Sequence, residues 1–142
     1  MAPRANASDE LVWGVVRDTS SFRKLRKVSG RSKMGRRGTD LTTEPNNLTG
    51  KNSWKSSGLA NSKAVGITAA ADGGIVLTTK SRKSNRVGKP AKAINSVTLS
   101  KGGFGKVAKS ISKLTHCNFY RPDLTKAALA KWSLIHKSQK KK

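Results

Sequence analysis

Apolar residues recur at helical spacing in three parts of the chain, and each part predicts a helix with one apolar face. The first helix starts at Ser8, whose hydroxyl is suited to accepting backbone amide hydrogens at a helix N-terminus. The acids Asp9 and Glu10 follow, where the positive end of the helix dipole favours them. The apolar side of this helix consists of Leu11, Val12, Val15 and Val16.

The other two predicted helices lie near the C-terminal end. Between Gly103 and Thr115 the apolar side consists of Phe104, Val107, Ala108, Ile111 and Leu114. Three lysines fall roughly 160 degrees away around the helix axis, namely Lys106, Lys109 and Lys113. The last helix begins near Pro122 or Asp123, both suited to a first turn. Its apolar side consists of Leu124, Ala127, Ala128, Trp132 and Ile135.

Short runs of apolar and β-branched residues between the helices predict a small sheet. The runs are Lys51 to Lys55, Lys63 to Thr68, Gly74 to Lys80 and Ala93 to Leu99. Asp72-Gly73 indicates a hairpin, and Glu44-Pro45-Asn46-Asn47 indicates a structured turn. The whole pattern predicts one α+β domain over residues 1–142: an N-terminal helix, a small antiparallel sheet of about three to five strands and two C-terminal helices.

Charge changes this picture, because 30 lysines and arginines oppose only 7 aspartates and glutamates, which gives a formal charge of +23. Self-repulsion at such a charge opposes compaction unless a polyanion neutralises it. The bases cluster in flexible segments at about 23–40 and 80–92, and a lysine tail occupies 137–142. Segments of this composition bury too little apolar surface to order alone, so we expect them to become ordered only on RNA.

Clustered bases indicate binding to a phosphate backbone, since each cation that reaches a phosphate displaces a counterion. Such contacts position a nucleic acid without reading its bases, so they support no sequence-specific recognition. Trp54 and Tyr120 each have a basic neighbour, an arrangement suited either to stacking on unpaired bases or to core packing. The predicted RNA-binding residues are Arg23, Lys24, Arg26, Lys27, Arg31, Lys33, Arg36, Arg37, Lys51, Trp54, Lys55, Lys80, Arg82, Lys83, Arg86, Lys106, Lys109, Lys113, Tyr120 and Arg121.

The sequence offers no constellation suited to catalysis or metal binding. His116 and His136 are twenty residues apart, without a carboxylate or second cysteine nearby. The single cysteine, Cys117, permits neither an internal disulfide nor a cysteine-based zinc site. No apolar run is typical of a signal peptide or a membrane span. We therefore predict no enzyme, metal, cofactor, small-molecule substrate or membrane partner.

Several short words of the sequence carry a resemblance to a known family. The words are Trp13-Gly14-Val15-Val16-Arg17, Ser20-Ser21-Phe22, Thr43-Glu44-Pro45-Asn46-Asn47-Leu48, Asn52-Ser53, Gly58-Leu59, Ala70-Ala71-Asp72-Gly73, Tyr120-Arg121-Pro122-Asp123-Leu124 and Ala127-Ala128. In this order and spacing they resemble the eukaryote-specific ribosomal protein family numbered twenty-eight of the large subunit, which is distinct from its bacterial namesake. The resemblance covers about Leu11 to Lys137.

The resemblance implies a structural constituent of the large subunit of the cytoplasmic eukaryotic ribosome, with assembly in the nucleolus. It also implies an α+β protein that lies against large-subunit ribosomal RNA and neighbouring ribosomal proteins, with no enzymatic activity or cofactor. Composition alone reaches only a binder of polyanions, and it supports a free nucleic-acid-binding or chromosomal protein equally well. A catalytic RNA-modifying factor, the third alternative, needs a cofactor pocket or catalytic cluster that the sequence does not show.

Overall fold

The computed structural model describes residues 7–24, 40–71, 73–81, 90–99 and 102–140. The helices are α1 (Asp9–Thr19), α2 (Phe104–Ser112) and α3 (Thr125–Lys140). The strands are β1 (Arg23–Lys24), β2 (Leu41–Thr42), β3 (Val65–Ala69), β4 (Ile75–Lys80) and β5 (Ile94–Leu99). This order confirms the predicted α+β class, with an N-terminal helix, small antiparallel sheets and two C-terminal helices.

The main sheet has three antiparallel strands in the order β3–β4–β5. Val65 lies opposite Thr79, and Ile75 lies opposite Leu99. The predicted hairpin joins β3 to β4, and Gly73 in its turn has a φ of 81°, a conformation that glycine adopts without steric cost. Strands β1 and β2 form a separate antiparallel pair beside α1.

The hydrophobic core lies between one face of the main sheet and the helices α2 and α3. The sheet contributes Val65, Ile67, Ile75 and Leu77, and the helices contribute Val107, Ile111, Ala128 and Trp132. The sheet residues alternate along their strands because successive side chains point to opposite faces. Trp132 stacks on Phe104 at a ring distance of 5.7 Å, which joins the two helices. The predicted packing sides of both C-terminal helices are thus the sides that meet the core.

A widened turn connects α2 to α3. The chain passes through a π-helical turn at Lys113–Cys117 and a 3-10 turn at Pro122–Leu124 before α3 begins. Thr115 is buried in the first turn, and its hydroxyl donates to the Ile111 carbonyl at 2.9 Å. Proline at the first position of the second turn agrees with the predicted helix start. This connection positions the side chains that follow it against the sheet.

The predicted strand from Lys51 to Lys55 is wrong. Lys51 forms an isolated bridge with Leu41, and Trp54–Ser56 is a 3-10 turn. The reason is that side chains occupy the backbone groups which a strand needs. The Asn47 side-chain amide donates to the Lys51 carbonyl at 3.0 Å, and the Lys51 backbone amide donates to the Thr49 hydroxyl at 3.3 Å.

Helix α1 is capped as predicted, because the Leu11 amide donates to the Ser8 hydroxyl at 3.2 Å. Its apolar side is present, yet the helix has no buried residue. Polar contacts attach it to the loop before β3. The Ser62 backbone amide donates to the Asp9 carboxylate at 3.0 Å, and the Asn52 side-chain amide donates to the Arg17 carbonyl at 3.0 Å. In the described part of the chain, no helix combines the length and the apolar character needed to cross a bilayer.

Candidate nucleic-acid interface

The loop that precedes the main sheet is organised by the buried carboxylate of Glu44. Its Oε1 accepts hydrogen bonds from the Asn47 amide at 2.9 Å and from the Gly58 backbone at 3.2 Å. Its Oε2 accepts from the Ser57 hydroxyl at 3.2 Å. A carboxylate is tolerated in such a place only when it is well hydrogen-bonded. Glu44 therefore fixes both ends of the loop that carries the 3-10 turn.

The same loop approaches the sheet closely at Asn46. Asn46 has a φ of 60°, and its side-chain oxygen accepts from the Thr78 hydroxyl at 2.7 Å. A Cβ added at Gly58 would lie 2.1 Å from the Pro45 carbonyl oxygen, and one added at Gly66 would lie 2.3 Å from Asn46 Oδ1. Glycine is therefore required at both positions because the loop packs too closely to leave room for a side chain. Sequence reasoning predicted the turn here but missed the role of Glu44, for which the sequence carries no separate signal.

Seven of the predicted RNA-binding residues are exposed in the structure. They are Lys24, Lys51, Trp54, Lys55, Lys106, Lys109 and Lys113. The last three follow one side of α2 into the next turn and span about 10 Å along its axis at 1.5 Å per residue. On the opposite side of the helix, Val107 and Ile111 are buried. The predicted division of this helix into a packing side and a lysine side is confirmed.

Lys51, Trp54 and Lys55 lie on or next to the 3-10 turn that Glu44 helps to fix. The Trp54 side chain is 45% exposed, and the Asn61 amide donates to its backbone carbonyl at 2.6 Å. The structure therefore combines an accessible aromatic ring with two exposed ammonium groups on a held backbone. Of the two alternatives for Trp54, this position favours stacking over core packing.

Four other predicted residues make internal contacts, and Lys80 is the first of them. Its ammonium donates to three backbone carbonyls, those of Gly58 at 3.1 Å, Leu59 at 3.2 Å and Asn61 at 2.8 Å. Three partners match the three donors of an ammonium group. Lys80 therefore attaches the loop at 58–61 to the end of β4.

Arg121 is likewise held inside the protein, with 15% of its side chain exposed. Nε and Nη2 donate to the two carboxylate oxygens of Asp123, each at 2.9 Å. Nη1 donates to the Lys63 carbonyl at 2.7 Å, and Nη2 donates to the Lys55 carbonyl at 2.8 Å. The hydrogen bond from Arg121 is the main cause that lowers the pKa of Asp123 below its ordinary value. Arg121 thus connects the 3-10 turn at Trp54–Ser56, the residues before β3 and the start of α3.

Tyr120 makes an internal contact through its hydroxyl. The hydroxyl lies between the carbonyl oxygens of Ala64 and Lys80 and donates to them. Burial raises the pKa of Tyr120, while the nearby Arg121 charge acts in the opposite direction. The Lys63 ammonium lies 5.8 Å from the centre of the ring, within the range of a cation–π contact. Lys63 is exposed, and sequence reasoning missed it because it begins a predicted strand.

Arg23 completes the internal group. Its Nη1 lies 3.2 Å from the Asp18 carboxylate, and its Nη2 lies 2.7 Å from the Asp40 carboxylate. The guanidinium therefore links the end of α1 to the start of β2. The remaining predicted residues lie outside the described ranges: Arg26, Lys27, Arg31, Lys33, Arg36, Arg37, Arg82, Lys83 and Arg86.

The role of Tyr120 gives a prediction about stability and pH. Replacing Tyr120 with phenylalanine removes the hydroxyl from two part-buried carbonyls, and we expect the free energy of unfolding to fall by about 1 to 2 kcal/mol near neutral pH. Because the folded pKa is raised, this contribution is fully present below the ordinary value of 10.0 and is lost as the pH rises through the folded value. The difference between the two proteins should therefore narrow at high pH.

Denaturant unfolding of both full-length chains between neutral and strongly alkaline pH checks this expectation. Tyr120 is the only tyrosine, so tyrosinate absorbance also reports its titration directly. In the wild-type chain, Tyr120 should titrate at a higher pH in the folded state than in denaturant. Equal titration in both states would show that the hydroxyl is not held between the two carbonyls.

The fold and the exposed lysines define a class: a small, highly basic α+β protein whose surface cations suit a phosphate backbone. The comparison with known proteins makes the assignment specific. The chain belongs to the Ribosomal L28e protein family, whose profile matches residues 11–138. This confirms the resemblance seen in the sequence, and the protein is a ribosomal protein.

Three similar relatives are each named large ribosomal subunit protein eL28. The relative from Schizosaccharomyces pombe is 36% identical over 137 residues, which cover 96% of this chain and 96% of the relative. The relative from Caenorhabditis elegans is 38% identical over 135 residues, 95% of this chain and 97% of the relative. The relative from Dictyostelium discoideum is 31% identical over 132 residues, 93% of this chain and 86% of the relative. The similarity thus extends over nearly the whole chain.

Proposed function

We propose that the protein is a structural constituent of the large subunit of the cytoplasmic eukaryotic ribosome, where it binds and braces ribosomal RNA. Membership of the Ribosomal L28e family and the names of its relatives support the large-subunit assignment. The single observation that carries the RNA contact is the lysine side of α2, because its opposite side is anchored in the core. The role is structural, and no reaction is part of it.

Neutralisation combined with rigid positioning is the proposed mechanism. Lys106, Lys109 and Lys113 lower the repulsion between phosphates of neighbouring RNA segments, and each contact releases a counterion. Because Val107 and Ile111 hold the helix against the core, the backbone positions that carry the three lysines are fixed relative to the core. RNA segments that bind them are thereby fixed relative to each other.

The 3-10 turn supplies a second proposed contact. Lys51 and Lys55 bind phosphates, and Trp54 between them stacks on an unpaired base. Glu44 and Arg121 position this turn through internal hydrogen bonds. Glu44 accepts from Ser57 and Gly58, and Arg121 donates to the Lys55 carbonyl. Arg121 therefore acts on RNA through the turn that it positions.

Arg23, Lys80 and Tyr120 support the surface in the same indirect way. Lys24 is exposed at the point where the chain enters the first basic segment, and we propose that it binds phosphate with that segment. The bases at 26–37 and 82–86, which lie outside the described residues, also stay proposed RNA contacts. Neighbouring ribosomal proteins are the other proposed partners, and assembly in the nucleolus is the proposed route to the cytoplasmic ribosome.

Sedimentation of a cell lysate in high salt tests the proposed role. Salt screens loose contacts between a basic protein and RNA, whereas an integrated component is held by many contacts at once. We expect one copy of the protein per large subunit after the salt wash. Its release to the top of the gradient, or recovery mainly with chromatin, would contradict the proposal and favour a free nucleic-acid-binding or chromosomal protein.

A further inference from the structure

Helix α1 presents an apolar side to solvent. Leu11, Gly14, Val15 and Asp18 are three or four residues apart and therefore share one side of the helix, here called the outer face of α1. Leu11 is 63% exposed and Val15 is 62% exposed. Neither side chain belongs to the hydrophobic core of the described residues.

Gly14 lies in the middle of the outer face of α1. A glycine inside a helix costs about 0.5 to 1 kcal/mol relative to alanine. A Cβ added at Gly14 would have nothing within 4 Å, so no described part of the protein requires glycine at this position. The position is exposed, so the absence of a side chain leaves the helix backbone accessible between Leu11 and Val15.

The charge of α1 differs from the charge of the rest of the protein. The helix carries the acids Asp9, Glu10 and Asp18 against the single base Arg17, although the whole chain has a formal charge of +23. Asp18 is already paired with Arg17 at 3.6 Å and Arg23 at 3.2 Å. A phosphate backbone gains nothing from aliphatic side chains and is repelled by carboxylates, so this side of the protein does not suit RNA.

We propose that the outer face of α1 is a docking surface for a neighbouring protein of the large subunit. The partner segment presents apolar side chains to Leu11 and Val15 and a lysine or arginine to the exposed acid Glu10, which lies one turn before Gly14 on the same side of the helix. Charge complementarity selects this occupant, because Asp9 and Glu10 make the start of α1 acidic beside the apolar pair, in a chain with a formal charge of +23. The inference rests on the proposed function, since the partner is a component of the same subunit.

Leu134 shows why a single exposed leucine does not carry the same inference. It is 68% exposed on α3, but its neighbours one turn away include Lys131 and Lys137. Isolated apolar residues are normal on protein surfaces. Leu134 is therefore a matched control, because it has a similar exposure on a helix but no apolar partner and no acid beside it.

Site-specific photo-cross-linking in intact large subunits tests the docking surface. A photoreactive amino acid is placed at Val15, at Leu134 as the matched control and at Lys109 as the RNA-facing position. We expect Val15 to cross-link to another ribosomal protein, Lys109 to cross-link to RNA and Leu134 to give no protein product. Cross-linking of Val15 to RNA, to residues of its own chain, to a second copy or to nothing would contradict the inference.

A double substitution gives an independent test. Leu11→Asp with Val15→Asp adds charge at exposed positions, so the free chain should unfold at the same denaturant concentration as the wild type. Retention on the large subunit after a salt wash should fall about tenfold or more, because the apolar surface of the partner cannot bury two carboxylates. Leu134→Asp should leave retention unchanged, and retention of the double variant at the wild-type level would overturn the inference.

The two proposals fail in different ways. Loss of the wild-type protein from the large subunit in high salt contradicts the proposed function. Stable wild-type binding with an RNA cross-link at Lys109, but no protein cross-link at Val15, contradicts only the docking surface.

Discussion

Replacing Gly58 with alanine should destabilise the protein by about 3 kcal/mol. The added Cβ would lie 2.1 Å from the Pro45 carbonyl oxygen and 2.9 Å from two backbone atoms of Asn46. Backbone atoms cannot turn away as a flexible side chain does, and Glu44 holds the loop in place by accepting a hydrogen bond from the Gly58 amide. The substitution must therefore break the loop away from the position that supports the 3-10 turn.

Denaturant unfolding of the full-length chain measures this effect, in buffer with enough salt to screen the repulsion between its bases. Gly105→Ala is the matched control, because a Cβ at Gly105 in α2 has nothing within 4 Å. We expect that control to leave stability unchanged or to raise it by about 0.5 kcal/mol, since alanine favours the helix. If Gly58→Ala and Gly105→Ala unfold at the same midpoint, the loop does not pack against Gly58 as described.

Replacing Lys106, Lys109 and Lys113 together with alanine should lower the slope of log affinity against log salt for large-subunit ribosomal RNA by about two. A slope change of about two corresponds to roughly a hundredfold loss of affinity at roughly 0.1 M salt. Alanine preserves the helix and the buried side of α2 is untouched, so the folded state should be retained. Binding titrations at several salt concentrations measure both quantities.

A second triple variant separates position from total charge. Lys126, Lys137 and Lys140 are exposed on α3, and their replacement with alanine removes the same number of positive charges. We expect this variant to lose less affinity and to keep a steeper slope than the α2 variant. Equal losses would mean that RNA responds to net charge alone, and the lysine side of α2 would have no special role.

The sequence predicts α2 well because one period carries two kinds of information. Val107 and Ile111 recur on one side and the lysines recur on the other, so a helix with a buried side and a cationic side follows directly. The Ser8 cap is equally local, since the hydroxyl and its acceptor amide at Leu11 are three residues apart. Features determined within one or two turns of the chain are therefore predictable from its pattern.

The partners of individual charges are not predictable in this way. Lys80 begins a basic segment and Arg121 follows an aromatic residue, but the carbonyls that accept hydrogen bonds from them belong to residues 19 to 66 positions away. Neither the loop at 58–61 nor the carbonyl of Lys55 has a sequence signal that would name its donor. Charge clustering identifies a basic surface, whereas the fold decides which bases remain available to RNA.

The strand predicted at Lys51 to Lys55 fails for a local reason, which the residue types of the run itself do not reveal. Its residue types suit a strand, but the Asn47 side chain takes up the Lys51 carbonyl. Hydrogen bonds between side chains and nearby backbone compete with regular structure. Helix α1 shows the reverse case, because its apolar side is predicted correctly from spacing while its exposure depends on what the rest of the chain leaves uncovered.

The central claim is that the exposed bases of α2 and of the 3-10 turn contact ribosomal RNA, whereas the internally paired residues do not. Ultraviolet cross-linking of purified large subunits, followed by mass spectrometry of the attached nucleotides, tests this most directly. We predict nucleotide adducts on Trp54 and on the segment from Lys106 to Lys113, and none on Tyr120 or Arg121. Adducts on Tyr120 and Arg121, with none on Trp54 or α2, would contradict the claim.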